Sequence, residues 1–290
     1  MNPPPVATRE IAREERFNAV WTQELNDVFA DVAPYYDRAN YIASLGLWGW
    51  FLSQFMNTVD IRSGERVLDV CAGTNAIGIA LLKREPTLEV HAIDRSAAMQ
   101  EVGRRNAEAL GMRIRSVIDD VHTLPYPDNT FDVVTLQFAS RHLRIRRVAS
   151  EIRRVLKPGG RLIATLWGPL DANKGHAAVV RALEGQQVDA SAARKACSFS
   201  DPAEIRDVAE RAGFGRIELL TEDGVTEYAS LDSFMTGMTV GSPSTRKAVE
   251  LIPESGRARF FDDVRGALAQ YVVNGKLAYP MRTHIVVARP

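Results

Sequence analysis

Residues 66–83 read RVLDVCAGTNAIGIALLK, and IDRS follows at 93–96. A β-branched apolar run ends in Asp69. A tight turn of small residues follows, then an apolar pattern of helical period, then a second apolar run closed by Asp94. Strand, turn, helix and strand in this order build a crevice at the carboxyl ends of parallel strands. Gly73 lets backbone approach a ligand there, and Asp94 is placed to accept hydrogen bonds from a ribose diol. A dinucleotide site would want G-x-G-x-x-G to bring a pyrophosphate to a helix N-terminus. This turn offers only Gly73, ringed by Asp69, Cys71, Ala72, Thr74 and Asn75. An acidic, glycine-poor turn suits a cationic nucleoside without phosphate.

Composition narrows the class. The 290 residues carry 36 Lys plus Arg against 36 Asp plus Glu, so no basic excess points to nucleic acid. The arginines between Arg141 and Arg154 alternate with Leu143, Ile145, Val148, Ile152 and Val155, as on the solvated face of a helix. Cys71 and Cys197 are the only cysteines and belong to no metal-spaced cluster. No metal is expected, and a cytoplasmic setting fits. The first residues, MNPPPVATREIAREERF, lack the apolar region of a signal peptide and read as a loose arm. No apolar run reaches the roughly 18 residues of a membrane span. The nearest, 41–56, is broken by Gly46 and Gly49. It reads either as a helix packed on the core or as a lid that admits a greasy substrate and touches a membrane surface.

Strands are expected near 66–71, 88–93, 113–117, 131–137, 160–167, 216–222 and 282–288. Helices are expected near 76–84, 96–110, 143–156 and 203–212, the last capped by Asp201-Pro202. The alternation implies an α/β chain with a mostly parallel sheet and helices on both faces. Residues 1–60 read as an N-terminal arm with lid helices, and 61–290 as one domain. Helical insertions near 169–200 and 225–277 are placed to cap the pocket. In the second, Phe234, Met235 and Met238 fall on one side of a helix, either as packing on the sheet or as a substrate wall.

Three further stretches carry a resemblance: Val28-Phe29, Val32-Ala33, Tyr36-Asp37, Asn40, Ser44 and Gly46; LPYPDNTFD at 124–132; and VLKPGG at 155–160. With the turn after Asp69, they resemble the class I S-adenosylmethionine-dependent methyltransferases of the methyltransferase type 11 core, and within them the ubiquinone/menaquinone C-methyltransferase group. The resemblance runs over about 28–168. It implies a Rossmann-like, seven-stranded sheet with the last strand antiparallel and extra helical cap segments. It also implies S-adenosylmethionine as cosubstrate and S-adenosylhomocysteine as product. By position, Asp69, Cys71, Ala72, Gly73 and Asn75 would face the methionine end. Asp94 would hold the ribose, with Arg95 beside it in the donor set; Met99 would line the adenine face, and Asp120-Val121 would take the adenine, a role that Asp119 could exchange with Asp120. Gln137 and Tyr36 complete the donor set. The competing view of Asp94 and Asp120 is ordinary capping of strand-end turns. Asn75 stands where relatives often have a third glycine, and Ala76 where they are often acidic.

Phe138-Ala139-Ser140-Arg141-His142 aligns with a family F-G-L-R-N run near the transferred methyl. The resemblance assigns acceptor activation to Arg141, His142 and Tyr36. Arginine stays charged, so Arg141 suits stabilisation of a phenolate-like acceptor; His142, in place of Asn, titrates where a base is useful. A histidine that merely caps the next helix is the alternative. His91, His122 and His284 read as structural, and His176 as the one pocket candidate among the extra segments. Three functions are carried forward: C-methylation of a lipophilic quinol-type or other aromatic small molecule; O- or N-methylation in small-molecule metabolism; and a noncatalytic ligand- or partner-binding protein, suggested by Asn75 and Ala76. Peripheral membrane contact and homodimerisation are the partner states left open besides the small-molecule acceptor.

Overall fold

A computed structural model describes residues 33–35, 47–140, 143–240 and 243–290. Tyr36, Arg141 and His142 lie outside these residues, as does most of the expected arm. The sheet is built from β1 (Arg66–Val70), β2 (Glu89–Asp94), β3 (Arg115–Ile118), β4 (Phe131–Gln137), β5 (Leu156–Trp167), β6 (Arg216–Tyr228), β7 (Val272–Val273) and β8 (Lys276–Arg289). Its order is β3-β2-β1-β4-β5-β8-β6, with β7 paired to β8. Strands β1 to β5 are mutually parallel, and β8 runs antiparallel to both β5 and β6. The chain order reverses on either side of β1 and β4, the switch point where a ligand crevice opens at carboxyl ends.

Side chains alternate between faces along each strand. Leu68, Val70, Val134, Leu136, Leu162 and Ala164 are buried on one face, under helices α4 (Ile145–Val155) and α7 (Pro202–Arg211). Leu143, Ile145, Val148, Ile152 and Val155 are all buried here, as the arginine-interleaved pattern predicted. Val67, Val133, Ile163 and Ile285 are buried on the other face, under α1 (Leu47–Thr58) and α2 (Ala76–Arg84). Helix α3 (Ala97–Glu108) starts at Ser96, whose hydroxyl accepts the Met99 N–H, and α7 starts at Asp201, whose carboxylate accepts the Ala203 N–H.

The insertions form a second core. Helices α5 (Lys174–Gly185), α6 (Ser191–Arg194), α8 (Leu231–Val240), α9 (Pro243–Glu250) and α10 (Glu254–Leu268) bury Leu183, Phe234, Met235, Ile252, Phe260 and Val264 with Tyr228 and Tyr279. Phe234 and Met235 thus pack inside the cap rather than on either face of the central sheet, and Met238 is partly buried at its edge.

Three expectations change. The third strand begins two residues later, at Arg115. Strands β6 and β8 extend past the central sheet as a long two-stranded arm pairing Val225 with Pro280 and Tyr228 with Leu277, so both ends of the 225–277 insertion are strand. Pro280 is tolerated because β5 pairs with β8 only over Thr283–Ala288, leaving the proline's missing N–H on an unpaired side. Among the described residues the sheet also has eight strands rather than seven. Val272–Val273 folds back on β8 through Asn274 (φ 52°) and Gly275 (φ 77°), a positive-φ pair that favours a tight hairpin.

Candidate active site

The turn after β1 is left-handed at Cys71 (φ 57°), Gly73 (φ 52°) and Asn75 (φ 61°). Asn75, tolerant of that conformation, closes the turn where a third glycine was absent. Its side chain is fully buried, accepting from Gln100 Nε2 at 3.0 Å and donating to Ser116 Oγ at 3.4 Å. Gln100 Nε2 also donates to the Gly73 carbonyl at 2.9 Å. What this turn offers a ligand is therefore backbone and open space: a Cβ at Gly73 would meet nothing within 4 Å.

Asp94 ends β2 beside it. One carboxylate oxygen accepts the Gly73 N–H and the other the Ser96 N–H, both at 2.8 Å. Burial raises its pKa despite those bonds. The Arg95 N–H also bonds this carboxylate, and of its roughly four acceptor sites one is left for a ribose hydroxyl. Asp69, 2% exposed, has one oxygen accepting from Thr135 Oγ1 at 2.6 Å and the other with no hydrogen-bond partner among the described residues. Desolvation, with Asp94 nearby, pushes it up to about 7.

Asp120 lies in the exposed loop after β3, and neighbouring Val121 is buried in the core. Burial raises the Asp120 pKa, but hydrogen bonds from His122 and the nearby Arg95 charge more than offset it and hold the carboxyl below its ordinary value. Its Oδ1 accepts the His122 N–H at 2.9 Å and His122 Nδ1–H at 2.5 Å. His122 Nε2 then accepts the Arg144 N–H at 2.9 Å, tying this loop to the residues just before α4. The sequence carried no signal for that bridge beyond the histidine itself. Met99 is buried against Ala33, so the short 3-10 turn Ala33–Tyr35 sits over α3.

The carboxyl ends of β4 and β5 are aromatic. Phe51 of α1 lies 4.8 Å from Phe138 and 5.4 Å from Trp167 between ring centroids. Phe138 and Trp167 are 4.7 Å apart, Trp50 flanks Phe51, and His176 of α5 lies 4.8 Å from Trp167. Phe138 adopts φ 53°, a conformation costing a bulky residue about 1–3 kcal/mol and concentrated at functional sites. Helix α1 meets the core-packing expectation for its segment through Phe55, and its Trp50 and Phe51 build this wall; residues 41–46 of that segment lie outside the described residues. Among the described residues, no group of three His, Cys, Asp or Glu could hold a metal ion.

A doubly wound sheet with an acidic glycine turn after β1 and an acid at the tip of β2 defines the Rossmann-like methyltransferase fold. The chain belongs to the ubiE/COQ5 methyltransferase family, whose model matches residues 17–167. It is 40% identical over 146 residues to the ubiquinone/menaquinone biosynthesis C-methyltransferase UbiE of Dinoroseobacter shibae, covering 49% of this chain and 58% of that protein. It is 36% identical over 163 residues to the demethylmenaquinone methyltransferase of Symbiobacterium thermophilum, covering 55% and 63%. The chain thus spans about three fifths of the length of these relatives. Among solved structures it resembles the YcgJ protein of Bacillus subtilis (TM-score 0.58, 18% identity, 82% of this chain and 98% of that one). It also resembles phosphoethanolamine N-methyltransferase 2 of Haemonchus contortus in complex with phosphomonomethylethanolamine and S-adenosylhomocysteine (TM-score 0.55, 17%, 84% and 53%). Both likenesses concern the fold.

Proposed function

We propose that the protein is an S-adenosylmethionine-dependent methyltransferase acting on carbon of a lipophilic, quinol-type aromatic. The observation that carries this reading is the juxtaposition of two half-sites at one sheet edge: an open glycine turn flanked by buried Asp69 and Asp94, and an aromatic wall of Phe51, Phe138 and Trp167. The donor fits the first half-site by its chemistry. Asp94 keeps acceptor capacity for a ribose hydroxyl, Asp120 is held ionised for an adenine amino group, and Asp69 offers a buried acid toward a cationic ligand. The bound donor supplies an electrophilic methyl group on a sulfonium.

The chain's own work is then positioning and exclusion of water. The aromatic wall holds a flat acceptor ring by stacking, each such contact worth about 0.5–1.5 kcal/mol beyond area burial. Arg141 would stabilise a phenolate-like acceptor, His142 would take its proton, and Tyr36 would border both ligands. These three roles rest on the family pattern. A prenylated acceptor would be drawn from a membrane surface, so peripheral contact at its cytoplasmic side belongs to the same proposal. No described helix is long and apolar enough to cross a membrane.

The test is transfer of isotope-labelled methyl to a panel of quinols, phenols and amines, with the product mapped by NMR. Label on a ring carbon of a quinol is expected. Label only on oxygen or nitrogen would transfer the assignment to the second reading, an O- or N-methyltransferase. One observation favours that alternative: the family match ends at Trp167, and the cap beyond it sets His176 against that ring. Replacing His142 with Asn should lower turnover and remove an ionisation from its pH profile; unchanged values would remove the base role.

A further inference from the structure

We propose that Gln137 and Thr165 form an oxygen-binding notch at the foot of the aromatic wall, where a ring oxygen of the acceptor docks. The proposal rests on the methyltransferase reading above and names the feature of the acceptor that this chain selects.

Gln137 ends β4 and pairs in register with Thr165 of β5, so the two side chains stand side by side on one face of the sheet. Trp167, two residues beyond Thr165, lies on that same face, and Phe51 stands over it. Phe138, next after Gln137, turns at φ 53°, its N–H held by the Thr165 carbonyl at 2.8 Å, and its ring joins the wall. The two side chains therefore sit where an aromatic ring stacked on Phe51, Phe138 or Trp167 would present its edge.

Both are polar where their surroundings are apolar. Thr165 is 2% exposed, and neither its Oγ1 nor Gln137 Nε2 has a hydrogen-bond partner among the described residues. Leaving a buried polar group unsatisfied is unfavourable, so two such atoms on neighbouring strand positions at a crevice edge point to an incoming partner. Its chemistry follows from the inventory. The amide nitrogen only donates, and the hydroxyl donates or accepts. An oxygen with lone pairs, as in a phenol, phenolate or quinone carbonyl, satisfies both. A protonated amine, which only donates, leaves the amide N–H unmet, and a plain hydrocarbon leaves both. The notch thus places Gln137 on the acceptor side of the crevice, whereas sequence position had grouped it with the donor residues.

The experiment is calorimetric titration, anaerobic and with saturating S-adenosylhomocysteine, of wild type, Thr165→Val and Gln137→Leu. The probes are a short-chain 2-prenyl-1,4-naphthohydroquinone and the corresponding 2-prenylnaphthalene without oxygens. Wild type should prefer the hydroquinone by about tenfold or more, and each variant should lose most of that preference while binding S-adenosylhomocysteine within twofold of wild type. Equal affinity of wild type for both probes overturns the notch, and needs no variant. So does a preference that survives both substitutions. A tenfold loss of S-adenosylhomocysteine affinity in Gln137→Leu with the preference intact returns Gln137 to the donor site. Absence of S-adenosylhomocysteine binding by wild type overturns the underlying methyltransferase reading instead, and the notch with it.

Discussion

Asp69 is the residue on which pH should act most visibly. Its carboxyl is buried, pushed to about 7 by desolvation and by Asp94, and Thr135 partly offsets the shift. A folded-state pKa raised above the unfolded value near 3.8 means the folded protein holds a proton that the unfolded chain releases. Stability from this group is fully present below about pH 4 and is lost as pH rises through about 7, by on the order of 4 kcal/mol. Replacing Asp69 with Asn should therefore flatten the fall in melting temperature between about pH 4 and 7. In wild type near neutral pH, binding of a cationic donor should expel the proton. The observed heat of S-adenosylmethionine binding would then vary with the ionisation enthalpy of the buffer, and a buffer-independent heat would contradict this role. Asp94 and Gly73 were legible from sequence because their chemistry is written in residue type. The Gln137–Thr165 notch was not, since it depends on a register between strands 28 positions apart.

Helix α3 and the turn behind it form one packed unit. A Cβ at Gly103 would lie 2.7 Å from both the Asn75 side chain and the Thr74 backbone, too close for either to stay in place. Gly103→Ala gains helix propensity of about 1 kcal/mol but overpacks by about 1–3 kcal/mol. The expected result is a net loss of up to about 2 kcal/mol in chemical denaturation, with donor affinity falling several-fold because the turn must shift. Unchanged affinity would mean that the turn's position is set elsewhere. The periodic elements were readable from pattern alone: α2 runs over the expected Ala76–Arg84, and Asp201-Pro202 starts α7. The long β6–β8 arm was not readable, because its outer part alternates polar and half-buried residues around Gly224, onto which Trp50 packs. The small hairpin was missed with it, although its Asn274-Gly275 pair is of the type that favours a tight turn.

The molecule couples a family core to a cap with a separate hydrophobic cluster, and Asn173 is the staple between them. Fully buried, its Nδ2 donates to the carbonyls of Gly168, Pro169 and Arg282 at 3.1, 2.9 and 3.2 Å, and its Oδ1 accepts the Arg282 N–H at 3.2 Å. It also starts α5, which carries His176 to the aromatic wall. Asn173→Leu strands these buried backbone groups and should destabilise by about 2–3 kcal/mol. Hydrogen exchange should quicken in 174–195 and 231–268 while β1 and β4 stay protected; uniform loosening would show that cap and core are one cooperative unit.

The proposed activity depends on the donor crevice, and the decisive measurement is calorimetric titration of wild type and Asp94→Ala with S-adenosylhomocysteine. The expected result is one site per chain, micromolar-range affinity in wild type, and a loss of about 100-fold or more in the variant, equal to about 3 kcal/mol of hydrogen bonding to a charged group. No saturable heat with wild type at millimolar ligand, or equal binding by the two proteins, would contradict it.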